Sequence, residues 1–123
     1  MQTLRKAVCQ DMEDRFSSET IEISFGYLAD ALPYCITVES TNASCPRCFS
    51  QHAGNRIILC EVIFHEDLTL SLAVFNNKSQ VAKHIKQVSR YDITDPDAYL
   101  SLCDILSGII KSWDGCGKFC NYQ

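Results

Sequence analysis

Two apolar runs near the middle of the chain dominate its pattern of hydrophobic and polar positions. Residues 56–65 (RIILCEVIFH) are apolar at nearly every position, whereas residues 68–75 (LTLSLAVF) carry leucine or valine at every second position. Because Glu66 and Asp67 alone separate the two runs, the pattern predicts a β-hairpin. A strand that is apolar on both faces is typical of the middle of a sheet, so the first run is predicted to be a central strand.

The N-terminal part of the chain shows helical spacing and then strand spacing. Residues 2–15 predict an amphipathic helix, whose apolar stripe comprises Leu4, Ala7, Val8, Met12 and Phe16. Residues 20–25 (TIEISF) and 34–39 (YCITVE) alternate with period two and predict two strands. Gly26 is predicted to turn the chain after the first of them.

The C-terminal part predicts two further helices. Residues 81–88 (VAKHIKQV) place apolar residues at the spacing of a short amphipathic helix. A longer helix is predicted to begin at Pro96 with Asp95 as its N-cap, because proline favours the first helical position and aspartate favours the cap. This helix has a broad apolar face that is expected to be mostly buried, and Gly115 is predicted to end it.

These elements predict an α+β domain. In order they are a helix, two strands, a long polar loop over residues 40–55, the hairpin and two helices. The hairpin makes the sheet mainly antiparallel, with about four strands, and the N-terminal and C-terminal helices are expected to cover its apolar face. A chain of 123 residues is expected to form a single domain, residues 1–123.

The overall charge favours a protein partner. The chain has a formal net charge of −4 and a pI near 5.2, so a strongly basic nucleic-acid surface is not expected, although a local basic patch is compatible with an acidic whole. No segment has the length of a membrane span, and the first residues lack the apolar core of a targeting signal. We therefore expect no membrane association and an intracellular location, nuclear or cytoplasmic.

Eight cysteines are many for a chain of this size. In the absence of a signal peptide they are interpreted as intracellular thiols or metal ligands. The alternative is a secreted, disulfide-bonded protein, in which the Asn-x-Ser sequences at Asn42 and Asn77 would be glycosylation sites.

The sequence CPRC at residues 45–48 is the strongest chemical motif. A Cys-x-x-Cys turn brings two sulfurs close enough to share one metal ion, and tetrahedral zinc needs two further ligands. The second pair is expected from the tail after the last helix, because its glycine allows it to fold back to the loop. The predicted zinc ligands are Cys45, Cys48, Cys116 and Cys120.

Two other residues are alternative ligands for this zinc ion: His52 in the same loop, and Cys60 from the end of the first hairpin strand. Metal analysis of variants separates these sets. If the first set is right, Cys45→Ser and Cys116→Ser both abolish metal binding, whereas Cys103→Ser in the last helix leaves the metal content unchanged. Metal lost in Cys45→Ser but retained in Cys116→Ser would assign the site to an alternative ligand, and metal-free wild-type protein would contradict zinc altogether.

The sequence predicts a protein that is not an enzyme. Thioredoxin-like proteins place Cys-Pro-x-Cys at the start of a substantial helix, but residues 49–55, which contain Gly54, are too short for one before the next strand. Thiol redox chemistry at Cys45 and Cys48 is kept as an alternative. No histidine stands at a recognised spacing from a serine or cysteine, which leaves a catalytic triad without support.

The order of elements around the Cys-x-x-Cys loop resembles a known family. The loop at Cys45 and Cys48 is followed by the strand pair LCEVIFHEDLTLSLAVF and a helix near Ile85, together about a third of the chain. This arrangement is similar to the zinc-bearing OB-fold domains of the replication protein A large subunit, shieldin subunit 2 and the DNA-damage-induced apoptosis suppressor. The resemblance implies an OB-like barrel with Cys45 and Cys48 as the first ligand pair. The second Cys-x-x-Cys of that family has no match, since Cys60 alone falls in the corresponding region.

The resemblance also implies a function, which is single-stranded DNA binding in DNA repair or replication. By that comparison Phe49 would stack on bases, and Arg47 and Arg56 would contact phosphates. The alternative is a protein-interaction domain that binds no nucleic acid, which the net charge and the apolar face of the last helix favour. Both interpretations describe a non-enzymatic binding module within a larger assembly.

Overall fold

The computed structural model describes residues 2–28, 32–41, 57–76, 83–87 and 90–112. These residues form an α+β arrangement, as predicted. The elements in chain order are α1 (Gln2–Phe16), β1 (Ile21–Tyr27), β2 (Pro33–Ser40), β3 (Ile57–Phe64), β4 (Thr69–Asn76), β5 (Lys83–Gln87), β6 (Tyr91–Asp92) and α2 (Pro96–Lys111).

All paired strands of the sheet are antiparallel. β1 to β5 follow one another in chain order, and β6 pairs with β4 on the same side as β5. β3 lies between β2 and β4, which confirms the central position predicted from its apolar pattern. The consecutive order is a meander, and it differs from the Greek-key barrel of the OB-fold that the resemblance implies.

One face of the sheet and both helices share a hydrophobic core. Val38 and Leu72, from β2 and β4, are buried on this face, α1 contributes Met12, and α2 contributes Leu102 and Leu106. These apolar groups leave water together, which is the main favourable term in folding. The prediction that the N-terminal and C-terminal helices cover the apolar face is confirmed.

The prediction of a helix over residues 81–88 is wrong, because Lys83–Gln87 form strand β5. β5 pairs with the second edge of β4, with Gln87 opposite Ala73 and Lys86 opposite Val74. This pairing gives hydrogen-bond partners to backbone groups that would otherwise lie at an open edge. A few apolar residues at helical spacing are weak local evidence, and pairing with a neighbouring strand outweighs them.

Gly26 lies within β1, so the predicted turn at this residue is also wrong. Gly26 pairs with Cys35, and the next pair is Tyr27 with Pro33, so Tyr34 is an extra residue that forms a bulge in β2. A Cβ atom at Gly26 would lie 2.8 Å from Cys35 Sγ and 3.0 Å from Tyr34 Cζ. A larger residue at position 26 would therefore force the side chains of Cys35 and Tyr34 to shift.

The start of α2 confirms the predicted N-cap. The Asp95 side chain accepts a hydrogen bond of 3.0 Å from the N–H of Asp97, and Pro96 is the first helical residue. The helix ends at Lys111, before Gly115, which lies outside the described residues. Of the helices that the structure describes, none is long and apolar enough to cross a membrane.

Candidate binding site

The residues predicted to bind zinc and DNA lie outside the described residues; they are Cys45, Cys48, Cys116, Cys120, Arg47, Phe49 and Arg56. The alternative ligand His52 lies there as well. The other alternative ligand, Cys60, is a fully buried member of the hydrophobic core within β3. In the ranges given above, no three histidine, cysteine or acidic side chains are grouped so that they could hold a metal ion. The zinc site and the DNA contacts stay predictions.

The four cysteines that can be described are not suited to nucleophilic chemistry. Cys9, Cys35, Cys60 and Cys103 are buried and free. Burial raises the pKa of the Cys9 thiol to about 11 and that of the Cys60 thiol to about 12. Burial also raises the pKa of Cys35 and of Cys103. These thiols are therefore protonated at neutral pH, and a protonated thiol is a poor nucleophile.

Arg5 is a buried cation that the sequence pattern did not reveal. Its guanidinium donates Nη1 to the carbonyl oxygen of Pro33 at 2.9 Å and Nη2 to that of His65 at 3.2 Å, and it lies 5.3 Å from the centre of the Phe64 ring. These contacts tie α1 to the ends of β2 and β3. Arg5 occupies the buried side of α1, whereas Ala7, predicted on the apolar stripe, is exposed.

A groove of about 210 Å³ separates α1 from α2; it is lined by Leu4, Ala7, Val8, Asp11, Ile93 and Tyr99. The Tyr99 hydroxyl donates to the Asp11 carboxylate at 2.5 Å, and Arg15 Nε donates to the same carboxylate at 2.7 Å. Burial opposes ionisation of Asp11, but these two hydrogen bonds outweigh it and lower the pKa of the carboxyl. The Asp11 carboxylate in the groove therefore connects α1 to α2 through its hydrogen bond with Tyr99.

The sheet face opposite the helices is acidic across its first three strands. Glu22 faces Glu39 across the first ladder, and Thr37 faces Glu61 across the second. Thr37 Oγ1 also donates to Glu61 Oε2 at 3.3 Å. β1, β2 and β3 contain no lysine or arginine. Because phosphate groups are bound chiefly by basic side chains, this face is poorly suited to a nucleic-acid backbone.

Among the strands that the structure describes, β1 lies at an edge of the sheet, and about half of its backbone groups point away from its neighbour β2. The N–H of Thr41 donates to the carbonyl oxygen of Thr20 at 2.9 Å, which marks residues 20 and 41 as a hydrogen-bonded pair. Bonded pairs recur at every second residue of an antiparallel ladder, so Ser24 is bonded to β2 whereas Ile23 and Phe25 direct their N–H and C=O groups outward. In the part of the chain that the structure describes, these outward groups have no hydrogen-bond partner.

Exposed apolar side chains stand at the end of this edge. Tyr27 is 56% exposed, Leu28 is 51% exposed and Tyr34 is 42% exposed. Large apolar side chains of this kind are typical anchors of protein interfaces. We define the β1 edge site as the outward N–H and C=O groups of Ile23 and Phe25 together with the side chains of Tyr27, Leu28 and Tyr34.

The sequence pattern did not identify the β1 edge site. Strand periodicity shows which residues share a face, but it does not show which strand lies at an edge. The available signal is Tyr27 and Leu28, two large apolar residues just beyond the predicted end of the strand. No protein-family model, no curated protein and no solved structure matches the chain.

Proposed function

We propose that this chain is a non-enzymatic binding module that accepts an extended segment of a partner protein as an additional strand along β1. The observation that carries the proposal is the outward N–H and C=O groups of Ile23 and Phe25, which find no partner among the described residues, beside exposed Tyr27 and Leu28. Strand addition of this kind derives affinity from main-chain hydrogen bonds and specificity from side-chain contacts.

The two edges of the sheet differ in a way that supports this proposal. The edge opposite β1 is divided between β5 and β6, of five and two residues, and β5 contains two lysines. Short strands and lysines are devices that discourage pairing with another chain. β1 is seven residues long and contains no lysine or proline. It is therefore the edge that favours strand addition.

The faces of β1 predict the pattern of the bound segment. Ile23 is buried on the core side, whereas Glu22 and Ser24 are exposed on the other side. Because an added strand continues both faces of the sheet, the segment should alternate apolar residues on the core side with polar residues on the acidic side.

Two features of the described cysteines support the proposal that the protein is not a redox enzyme and that it is located inside the cell. The raised pKa values of buried thiols such as Cys9 and Cys60 disfavour thiol redox chemistry at these positions. Free cysteines also fit the reducing interior of a cell, so we propose an intracellular location. Single-stranded DNA binding through Arg47, Phe49 and Arg56 stays a competing prediction.

Affinity capture with three versions of the chain tests the proposal. Wild-type protein, Ser24→Lys and Ser101→Lys are used as baits in cell extract, since both serines are exposed and Ser101 lies on α2, away from β1. A partner that uses the β1 edge site should be recovered with wild type and Ser101→Lys, and lost with Ser24→Lys. Partner binding should also slow hydrogen exchange of the Ile23 and Phe25 amides. Equal recovery with all three baits would contradict the proposal.

Filter binding at two salt concentrations tests the competing prediction. Single-stranded DNA that is retained at low salt and released steeply at higher salt would indicate a phosphate-binding surface. Retention that is lost in Arg47→Ala and Arg56→Ala would assign that surface to the predicted residues. No retention at low salt would exclude single-stranded DNA as the ligand of this chain.

A further inference from the structure

The pairing requirements of β1 are met by a second, reversed copy of β1. We propose that the strand added at the β1 edge site is β1 of another copy of this chain, related to the first by a two-fold axis. This inference rests on the proposed function and names its partner. A two-fold interface uses the same patch on both subunits, so the strand has to be complementary to itself.

The backbone of β1 satisfies this condition in the register that is centred on Ser24. When residues 22–26 of both copies pair, Ser24 lies opposite Ser24, and Ile23 lies opposite Phe25. Ile23 and Phe25 are the residues whose N–H and C=O groups point outward. The two Ile23 and Phe25 pairs around the axis therefore exchange four hydrogen bonds, two in each pair.

The side chains are compatible with the same register. On the acidic face Glu22 of one copy lies opposite Gly26 of the other, so no two carboxylates face each other across the seam. A register shifted to place Glu22 opposite Glu22 would bring like charges together, which is destabilising. On the core face Ile23 lies beside Phe25, a β-branched and aromatic pair of the kind that stabilises sheets.

The pairing ends before Ile21. The outward N–H of Ile21 donates to Ser18 Oγ at 3.2 Å and its carbonyl oxygen accepts from the Ser18 N–H at 3.0 Å, so these groups are not open to a second strand. Tyr27, which is 56% exposed, therefore lies just beyond the paired residues. The bulge at Tyr34 belongs to β2, so β1 itself keeps the regular ladder geometry that an added strand needs.

Sedimentation of the same three proteins tests self-pairing. Wild type and Ser101→Lys should form dimers, whereas Ser24→Lys, which places two ammonium groups opposite each other at the axis, should weaken dimerisation about tenfold or more. Since each copy carries a net charge of −4, added salt should strengthen the dimer by screening repulsion. Wild-type protein that stays monomeric up to about millimolar concentration, far above the range of specific complexes, would overturn the inference.

Disulfide trapping tests the register. In the proposed pairing the two Ser24 residues form a non-bonded pair with Cα atoms about 4.5 Å apart, a distance that a disulfide spans. Ser24→Cys should therefore give a covalent dimer on mild oxidation. Glu22→Cys is the matched control, because the two copies of residue 22 are about 13 Å apart along the strands. Wild-type protein is the control for cross-linking through the cysteines that the chain already contains. Equal cross-linking of all three proteins would overturn the register.

The combined results separate this inference from the proposed function. If wild type is monomeric and Ser24→Cys does not cross-link, but Ser24→Lys still loses a captured protein, self-pairing is wrong and strand addition by another partner stands. If capture is also unaffected by Ser24→Lys, both are wrong. Thermal midpoints of Ser24→Lys and Ser24→Cys close to that of wild type show that loss of pairing is not loss of folding.

Discussion

Replacing Gly26 with alanine should destabilise the protein, because the added Cβ would lie 2.8 Å from Cys35 Sγ and 3.0 Å from Tyr34 Cζ. The Tyr34 ring is 42% exposed and can move aside, but Cys35 is buried and its sulfur has few alternative positions. Overpacking of this kind costs about 1–3 kcal/mol, whereas the reduced freedom of the unfolded chain offsets about 0.4–1 kcal/mol. The difference between the two ranges is a net loss centred on about 1 kcal/mol, which corresponds to a fall of about 4 °C in the thermal midpoint.

Two matched substitutions decide whether the contact with Cys35 causes this loss. Gly108→Ala makes the same change at an exposed position of α2 where a Cβ would meet no atom within 4 Å, so it should stabilise the protein by about 0.5–1 kcal/mol. Denaturant unfolding of Gly26→Ala with and without Cys35→Ala completes a double-mutant cycle. The penalty should fall by about 1 kcal/mol when the sulfur is absent. An equal penalty in both backgrounds would refute the steric explanation.

Three further substitutions test the core, the cap and the contact between the helices. Leu70→Ala removes a fully buried side chain and should cost about 2–5 kcal/mol; an unchanged thermal midpoint would contradict this. Asp95→Ala removes the α2 cap and should cost about 0.5–2 kcal/mol, whereas Asp104→Ala at an exposed position should change little; equal effects would remove the capping explanation. Tyr99→Phe removes the hydrogen bond to Asp11 and should cost about 1 kcal/mol at neutral pH. Because folding lowers the pKa of Asp11 below its ordinary 3.8, this stabilisation is present above that value and is lost as the pH falls through the folded-state pKa. Unfolding measured at about pH 7 and about pH 2 checks the difference, and an equal cost at both would contradict it.

The elements that the sequence predicted correctly are those with long or chemically specific local signals. α1 and the β3–β4 hairpin repeat their patterns over many residues, and the cap at Asp95 and Pro96 is local chemistry. β5 was predicted as a helix because its strand pairing comes from β4, not from its own residues. Arg5 was missed because the carbonyl oxygens that accept from it lie 28 and 60 residues away in the chain. Such partners appear only when the fold is known.

The β1 edge site is harder to predict from the sequence than the helices and strands are. Cysteine spacing is visible in a sequence, and it predicts a metal site at Cys45 and Cys48, which lie outside the described residues. An edge strand has no comparable spacing, since its character depends on the order of all the strands. Once the order is known, the composition of β1 becomes informative: it has Glu22 as its charged residue and no lysine or proline. Natural sheets protect edges of this length with such residues unless the edge is used. This composition of the described β1 edge is the reason for our proposal that a further strand pairs with it.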